Sequence, residues 1–246
     1  MFRRILAVAA AAALTYVIVP PPRGDRIIRV YGDLRTAEHV AVIVPGTDTT
    51  AATFDGGRFR PYITPGGGAR AVLAEARVLE PGAGLAVVAW LGYDSPAMVS
   101  LEAVTVESAA KGAVELRRYV TETLRGRRVS LLCHSYGSVV CAKAAPGSGV
   151  ADVAVFGSPG LDVSSAAELG GVPLWVGSGG RDWMRDVPKL RLGPFGFGPD
   201  PADPAFGARL FATGAAGHSD YLKPGGESLR NLTLIALGRA GEVSRG

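Results

Sequence analysis

Histidine and cysteine are scarce in this chain: three of the first and two of the second in 246 residues. The histidines, at 39, 134 and 218, form no ligand-spaced cluster, so no metal is implied. Cys133 and Cys141 stand eight positions apart, one ending an apolar run and one two turns into the stretch that follows. That spacing is expected to point the side chains away from each other, which makes a disulfide unexpected and reads both as small buried residues. A basic excess is lacking too. The net charge of +4 owes much to Arg3, Arg4 and Arg23, which precede the first acid, Asp25. Without them the charges nearly balance and no basic run remains for phosphates to recognise, so nucleic acid is not an expected partner. There is no internal repeat, no low-complexity tract and no glycine-rich phosphate loop, and no cofactor is implied.

What is present is apolar. Residues 5–19, behind Arg3 and Arg4, carry no charge. The run is long for a signal-peptide core and short for a membrane span, which takes about 20 residues. It reads as an export anchor or signal segment that would place the protein at the cell envelope, with membrane contact through residues 3–19. A buried amino-terminal helix, or a start assigned too early, are the other readings. Pro20, Pro21 and Pro22 form a stiff spacer, so residues 1–25 are set apart from one α/β domain over 26–240. With 48% apolar and 20% charged residues, that domain can bury a full core unaided.

Its organising stretch is residues 128–145, RVSLLCHSYGSVVCAKAA. An apolar run stops at Ser135, and a run of small residues suited to a helix begins at Gly137. A strand, a one-residue corner and a helix make the G-x-S-x-G nucleophile elbow, in which a strained serine stands clear of the sheet. Gly137 fits the pattern, while Cys133 replaces the first glycine.

Other apolar runs at 40–44, 85–91, 150–156, 174–176 and 209–212 read as buried strands, with 27–31 as a short edge strand. Helices are expected at 69–79, 107–124 and 226–237. Alternating strands and helices mean crossovers and a parallel sheet, with ligands beyond the carboxyl ends of the strands. The glycine-rich loops after each strand therefore gather at one edge.

A serine hydroxyl needs a base, and the base needs an acid to orient it. His39 enters a strand at the opposite edge, and His134 adjoins Ser135 in a corner where neighbouring side chains diverge. His218 remains, in a loop after the last strand. For the acid, Asp182 just beyond the glycine turn 177–180 is the best placed and Asp162 the runner-up. The backbone N–H groups of Tyr136 and Thr47 are candidates for the oxyanion hole. Asp48, Thr49, Phe54, Phe59, Tyr62, Tyr93 and Asp94 lie on loops expected to line the pocket. Phe195, Phe197 and Phe206 could furnish an apolar subsite.

The ordered motifs Ile-Val-Pro-Gly-Thr-Asp (43–48), Trp-Leu-Gly-Tyr-Asp-Ser-Pro (90–96), His-Ser-Tyr-Gly-Ser (134–138), Gly-Ser-Pro-Gly (157–160), Asp-Pro-Ala-Phe-Gly-Ala (203–208) and Gly-His-Ser-Asp-Tyr-Leu (217–222) resemble a bacterial branch of the α/β-hydrolase superfamily with no assigned substrate. The resemblance implies a mostly parallel sheet with helices on both faces, Ser135 as nucleophile, His218 as base and Asp182 as acid. The expected activity is hydrolysis of a small or lipidic ester through an acyl-enzyme. The same site could serve an amide, a thioester or a peroxy acid, and a catalytically silent binding domain is the rival from another class. Oligomeric state is not legible.

Overall fold

The computed structural model describes residues 26–246. The apolar segment and spacer expected at 1–25 fall outside these residues. Among those described, no helix is long and apolar enough to cross a membrane.

Seven strands form one sheet in the order β1-β3-β2-β4-β5-β6-β9. They are β1 (Ile27–Tyr31), β2 (His39–Val44), β3 (Leu85–Leu91), β4 (Arg128–His134), β5 (Asp152–Phe156), β6 (Leu174–Gly177) and β9 (Arg209–Leu210). Every neighbouring pair is parallel except β1 with β3. The strands read as continuous apolar runs, β3 and β5, are buried along their whole length, as a sheet covered on both faces requires. β1 alternates partly buried ends with an exposed middle, the pattern of an edge.

Among the described residues, four helices cover the sheet: α1 (Pro65–Leu79), α2 (Glu107–Arg118), α3 (Gly137–Ala144) and α4 (Glu227–Ala236). Residues alternate across a strand, so β4 reports which helix lies on which side. Ser130 donates a long hydrogen bond to Ile235 O of α4, whereas Cys133, of opposite parity, meets Cys141 of α3. Helices α1 and α4 thus pack together over one face and α2 and α3 over the other. The last turn of the second expected helix, Tyr119–Thr123, relaxes into a π turn.

Two readings are corrected here. Helix α1 begins at Pro65, not 69, and absorbs the three glycines taken as loop. A Cβ on Gly67 would sit 1.8 Å from Pro61 O, so the first turn of this helix packs against backbone that leaves no room for side chains. Thr64 caps it by accepting from the Gly67 N–H.

The second correction is the disulfide. Cys133 and Cys141 are bonded, with their Cα atoms 6.5 Å apart. The elbow reverses the chain, so α3 runs back down beside β4. Two strand residues descend about 6.6 Å and four helical residues about 6 Å, which brings both cysteines to one height.

Between β6 and β9 lies a short antiparallel hairpin, β7 (Arg191–Leu192) and β8 (Phe195–Gly196). It is moored by Phe197, whose carbonyl accepts from Leu161 N and Asp162 N and whose buried ring meets Tyr136 edge-on at 5.7 Å.

Candidate active site

β4 ends at the carboxyl edge of the sheet and Ser135 follows it in the left-handed region, with φ 51°. For a residue other than glycine that conformation is strained, and it persists because the surroundings over-determine it. The Ser135 N–H donates to Phe156 O at 3.0 Å, and the Ser138 hydroxyl donates to Ser135 O. Gly137 is required here. A Cβ at that position would lie 2.4 Å from Pro45 O, so only glycine lets the elbow close on the loop after β2.

The structure brings Ser135, His218 and Asp182 into one hydrogen-bonded run. His218 Nε2 lies 3.1 Å from Ser135 Oγ and Nδ1 lies 2.9 Å from Asp182 Oδ1. Since a carboxylate only accepts, Nδ1 carries the proton and Nε2 is left to accept from the serine hydroxyl. Asp182 follows β6 and His218 follows β9, as the order of strands across the sheet demands. Gly157, after β5, lets them approach: a Cβ there would stand 2.9 Å from Asp182 Oδ2 and 3.0 Å from His218 Cε1.

Asp182 is 3% exposed. Burial raises its pKa, but hydrogen bonds from His218, the Tyr221 hydroxyl and Met184 N together hold it below the ordinary carboxylate range. It therefore stays ionised opposite His218. The other candidate acid, Asp162, is occupied elsewhere, paired with Lys143 and Arg191.

Two residues that sequence reasoning passed over hold this run in place. Tyr221 is buried, donates to Asp182 Oδ2 at 2.6 Å and accepts from Gly179 N at 2.8 Å. Its signal was its place three residues after His218. His134 was set aside as a base, yet its ring packs 4.7 Å from that of His218 and its Nε2 lies 2.7 Å from His218 O. Burial, with His218 beside it, pushes its pKa down to about 3, so it is neutral and donates Nε2–H to that carbonyl. His39 sits at the start of β2, at the far edge of the sheet.

A cavity of about 320 Å³ opens over Ser135 and His218. Thr47, Asp48, Thr49 and Tyr62 line it, together with Ile63, Met98 and Leu222. Asp48 takes φ 58°, and its Oδ1 accepts from Met98 N at 2.9 Å, tying the loop after β2 to the loop after β3. Neither the Tyr136 N–H nor the Thr47 N–H meets an acceptor among the described residues.

Other expected lining residues are elsewhere. Tyr93 does not face the cavity: it is 3% exposed, stacks between Trp90 and Tyr136, and donates to Pro45 O at 2.8 Å, bracing the loop from below. Asp94 points to solvent, 3.8 Å from Arg26. Phe54, Phe197 and Phe206 are core residues, and Phe59 and Phe195 are exposed outside the cavity. An aromatic ring next to a buried strand folds inward, and loop membership alone does not reveal that direction.

With this geometry in view, comparison with known proteins gives the class. Residues 21–192 match the alpha/beta hydrolase family, and the chain belongs to it. Among curated relatives, an uncharacterized Mycobacterium tuberculosis protein is 29% identical over 242 residues, covering 84% of this chain and 36% of that protein. An uncharacterized Mycobacterium bovis protein is 32% identical over 151 residues, covering 58% of this chain and 55% of the other. The chain thus spans about a third to a half of the length of these relatives. Among solved structures, a predicted CIB-like hydrolase from Thermoplasma acidophilum aligns with a TM-score of 0.51 at 14% identity, over 87% of this chain and 99% of that one. That likeness concerns the fold.

Proposed function

We propose that this protein is a serine hydrolase that cleaves a carboxylic ester through an acyl-enzyme. The observation that carries the reading is the run from Ser135 Oγ to His218 Nε2 at 3.1 Å and from His218 Nδ1 to Asp182 at 2.9 Å, with Ser135 and His218 lining the cavity. As Ser135 Oγ attacks the ester carbonyl, its proton passes to His218 Nε2, and ionised Asp182 stabilises the imidazolium. The tetrahedral oxyanion would take the N–H groups of Tyr136 and Thr47, donors of a kind worth several kcal/mol in the transition state. Collapse breaks the ester C–O bond, with His218 returning the proton to the departing alkoxide. Water, deprotonated by His218, then releases the acid and restores the serine.

The cavity of about 320 Å³ suits a short acyl chain or the reacting end of a longer lipid. Apolar residues 5–19 behind two arginines, together with the disulfide, support export to the cell envelope, since disulfides persist where thiols are oxidised.

A fluorophosphonate probe tests the reading. The protein should be modified at Ser135, and Ser135→Ala should abolish labelling. Ester turnover should fall by about 10⁴-fold or more in Ser135→Ala and His218→Ala, the scale on which such groups act as a unit. Labelling that survives in Ser135→Ala would refute the assignment. Parallel ester, thioester and amide substrates identify the leaving group.

A further inference from the structure

We propose that the catalytic rim is a membrane-docking surface, held against a lipid bilayer by the amino-terminal apolar segment, and that the site draws its ester from that bilayer. The substrate half of this inference rests on the serine hydrolase reading, while the docking half rests on the geometry of the rim and on residues 5–19 entering the bilayer.

Among the described residues, most exposed large apolar side chains lie in the loops after β2, β3 and β6, at the edge of the sheet where Ser135 lies. Only Ile28, Val30, Val78 and Val114 lie elsewhere. Phe59, in the loop after β2, is 92% exposed, and in the loop after β3 Val99 is 71% and Leu101 72% exposed, with Met98 and Val104 beside them. Exposed apolar patches of this kind mark contact surfaces. Ile63 and Met98 line the cavity as well as facing solvent, so the cavity opens through the apolar rim.

The chain itself says what the rim meets. β1 is antiparallel to β3, with Ile27 opposite Leu91, so the described chain enters the domain at the carboxyl end of β3. Arg26 confirms the position by lying 3.8 Å from Asp94. The entry point is therefore on the catalytic edge, three strands from β4 in the sheet order, or about 14 Å at the usual strand spacing. Residues 20–25 separate the apolar run from this point and reach at most about 20 Å when extended. The opposite edge of the sheet lies farther by the length of a strand, about 23 Å for seven residues. If residues 5–19 enter a bilayer, the catalytic edge is the part of the domain they tether closest to it. A second copy or a soluble protein would have no such link to the amino-terminal run.

The experiment uses the full chain with one added cysteine, either Leu101→Cys on the rim or Val78→Cys at the end of α1 near the opposite edge, each carrying an environment-sensitive nitrobenzoxadiazole label. The native cysteines are buried in their disulfide and do not compete for label. Each protein is mixed with phosphatidylcholine–phosphatidylglycerol vesicles, and fluorophosphonate labelling is measured in the same samples. Docking predicts a blue shift and brightening at position 101, quenched by spin-labelled lipid, and an unchanged signal at position 78. Vesicle-bound protein whose label at 101 stays in water would overturn it, as would failure to bind vesicles or a shift at 78 alone. Loss of probe labelling with the shift at 101 intact would refute the hydrolase reading and leave docking standing.

Discussion

At the residue scale, the proposed chemistry turns on how Asp182 is held. Three donors converge on it, and Tyr221 supplies the one that neither orients the imidazole nor caps the following turn. Its phenol is buried, and burial, followed by its bond to Asp182, raises its pKa, so it remains a donor throughout the working range. Replacing it in Tyr221→Phe leaves the carboxylate with one donor fewer and makes it more basic. The carboxylate is also held less firmly against the His218 ring, and the Gly179 N–H loses its acceptor. Turnover should fall about tenfold, equivalent to about 1.4 kcal/mol of transition-state stabilisation, with KM little changed. Unchanged turnover, or a loss confined to KM, would reduce Tyr221 to packing. The three members of the run were legible in the sequence, because the order of apolar runs placed each at the end of a strand and only three histidines competed. Tyr221 and Tyr93 were not, since neither position in the chain nor residue type says whether a ring turns toward a cavity or beneath it.

At the element scale, β4 and the loop bearing His218 are joined through His134. With its pKa pushed down to about 3 by burial, His134 is neutral when folded. In the unfolded chain it takes a proton near its ordinary value of about 6.5. Its contribution to stability is complete above about 6.5 and is lost as pH falls toward about 3, with a slope of up to about 1.4 kcal/mol per unit. Denaturant melts across that window should show a steeper decline for the native protein than for His134→Gln, which cannot take up the proton. Equal slopes would contradict the buried neutral ring.

The disulfide belongs to the same scale. It closes nine residues across the elbow, a loop whose chain-entropy contribution is about 2.5 kcal/mol. The double variant Cys133→Ala, Cys141→Ala should lose about that much in urea unfolding while Ser135 still reacts with the probe, because Ser135 N and Gly137 shape the corner independently. The strand and helix were both legible, but their shared height was not. It depends on a helix folding back antiparallel to its own strand, a relation that exists only once the corner has formed.

At the scale of the whole molecule, the sheet separates support from chemistry. His39 and the starts of the parallel strands lie at one edge, while the loops that follow them carry Ser135, Asp182 and His218, the cavity and most of the exposed large apolar side chains at the other. The parallel, doubly covered architecture followed from uninterrupted apolar runs separated by helical ones. Which exposed side chains cluster was hidden, because the loops that carry them are far apart in the chain. Protein recovered from an oxidising compartment and denatured without reductant should show no reactive thiol, and reductant should release two per chain. Two thiols before reduction would place its folding in a reducing compartment.

The mooring of Phe197 has one further consequence. Its carbonyl is engaged by Leu161 and Asp162 and its ring is wedged beside Tyr136, so the hairpin it follows is tied to the scaffold, and neither hairpin nor Phe197 lines the cavity over Ser135. Progress curves should accordingly start at full speed, with no induction period, and any gain on adding substrate aggregates would reflect crowding of molecules at an always-open entrance.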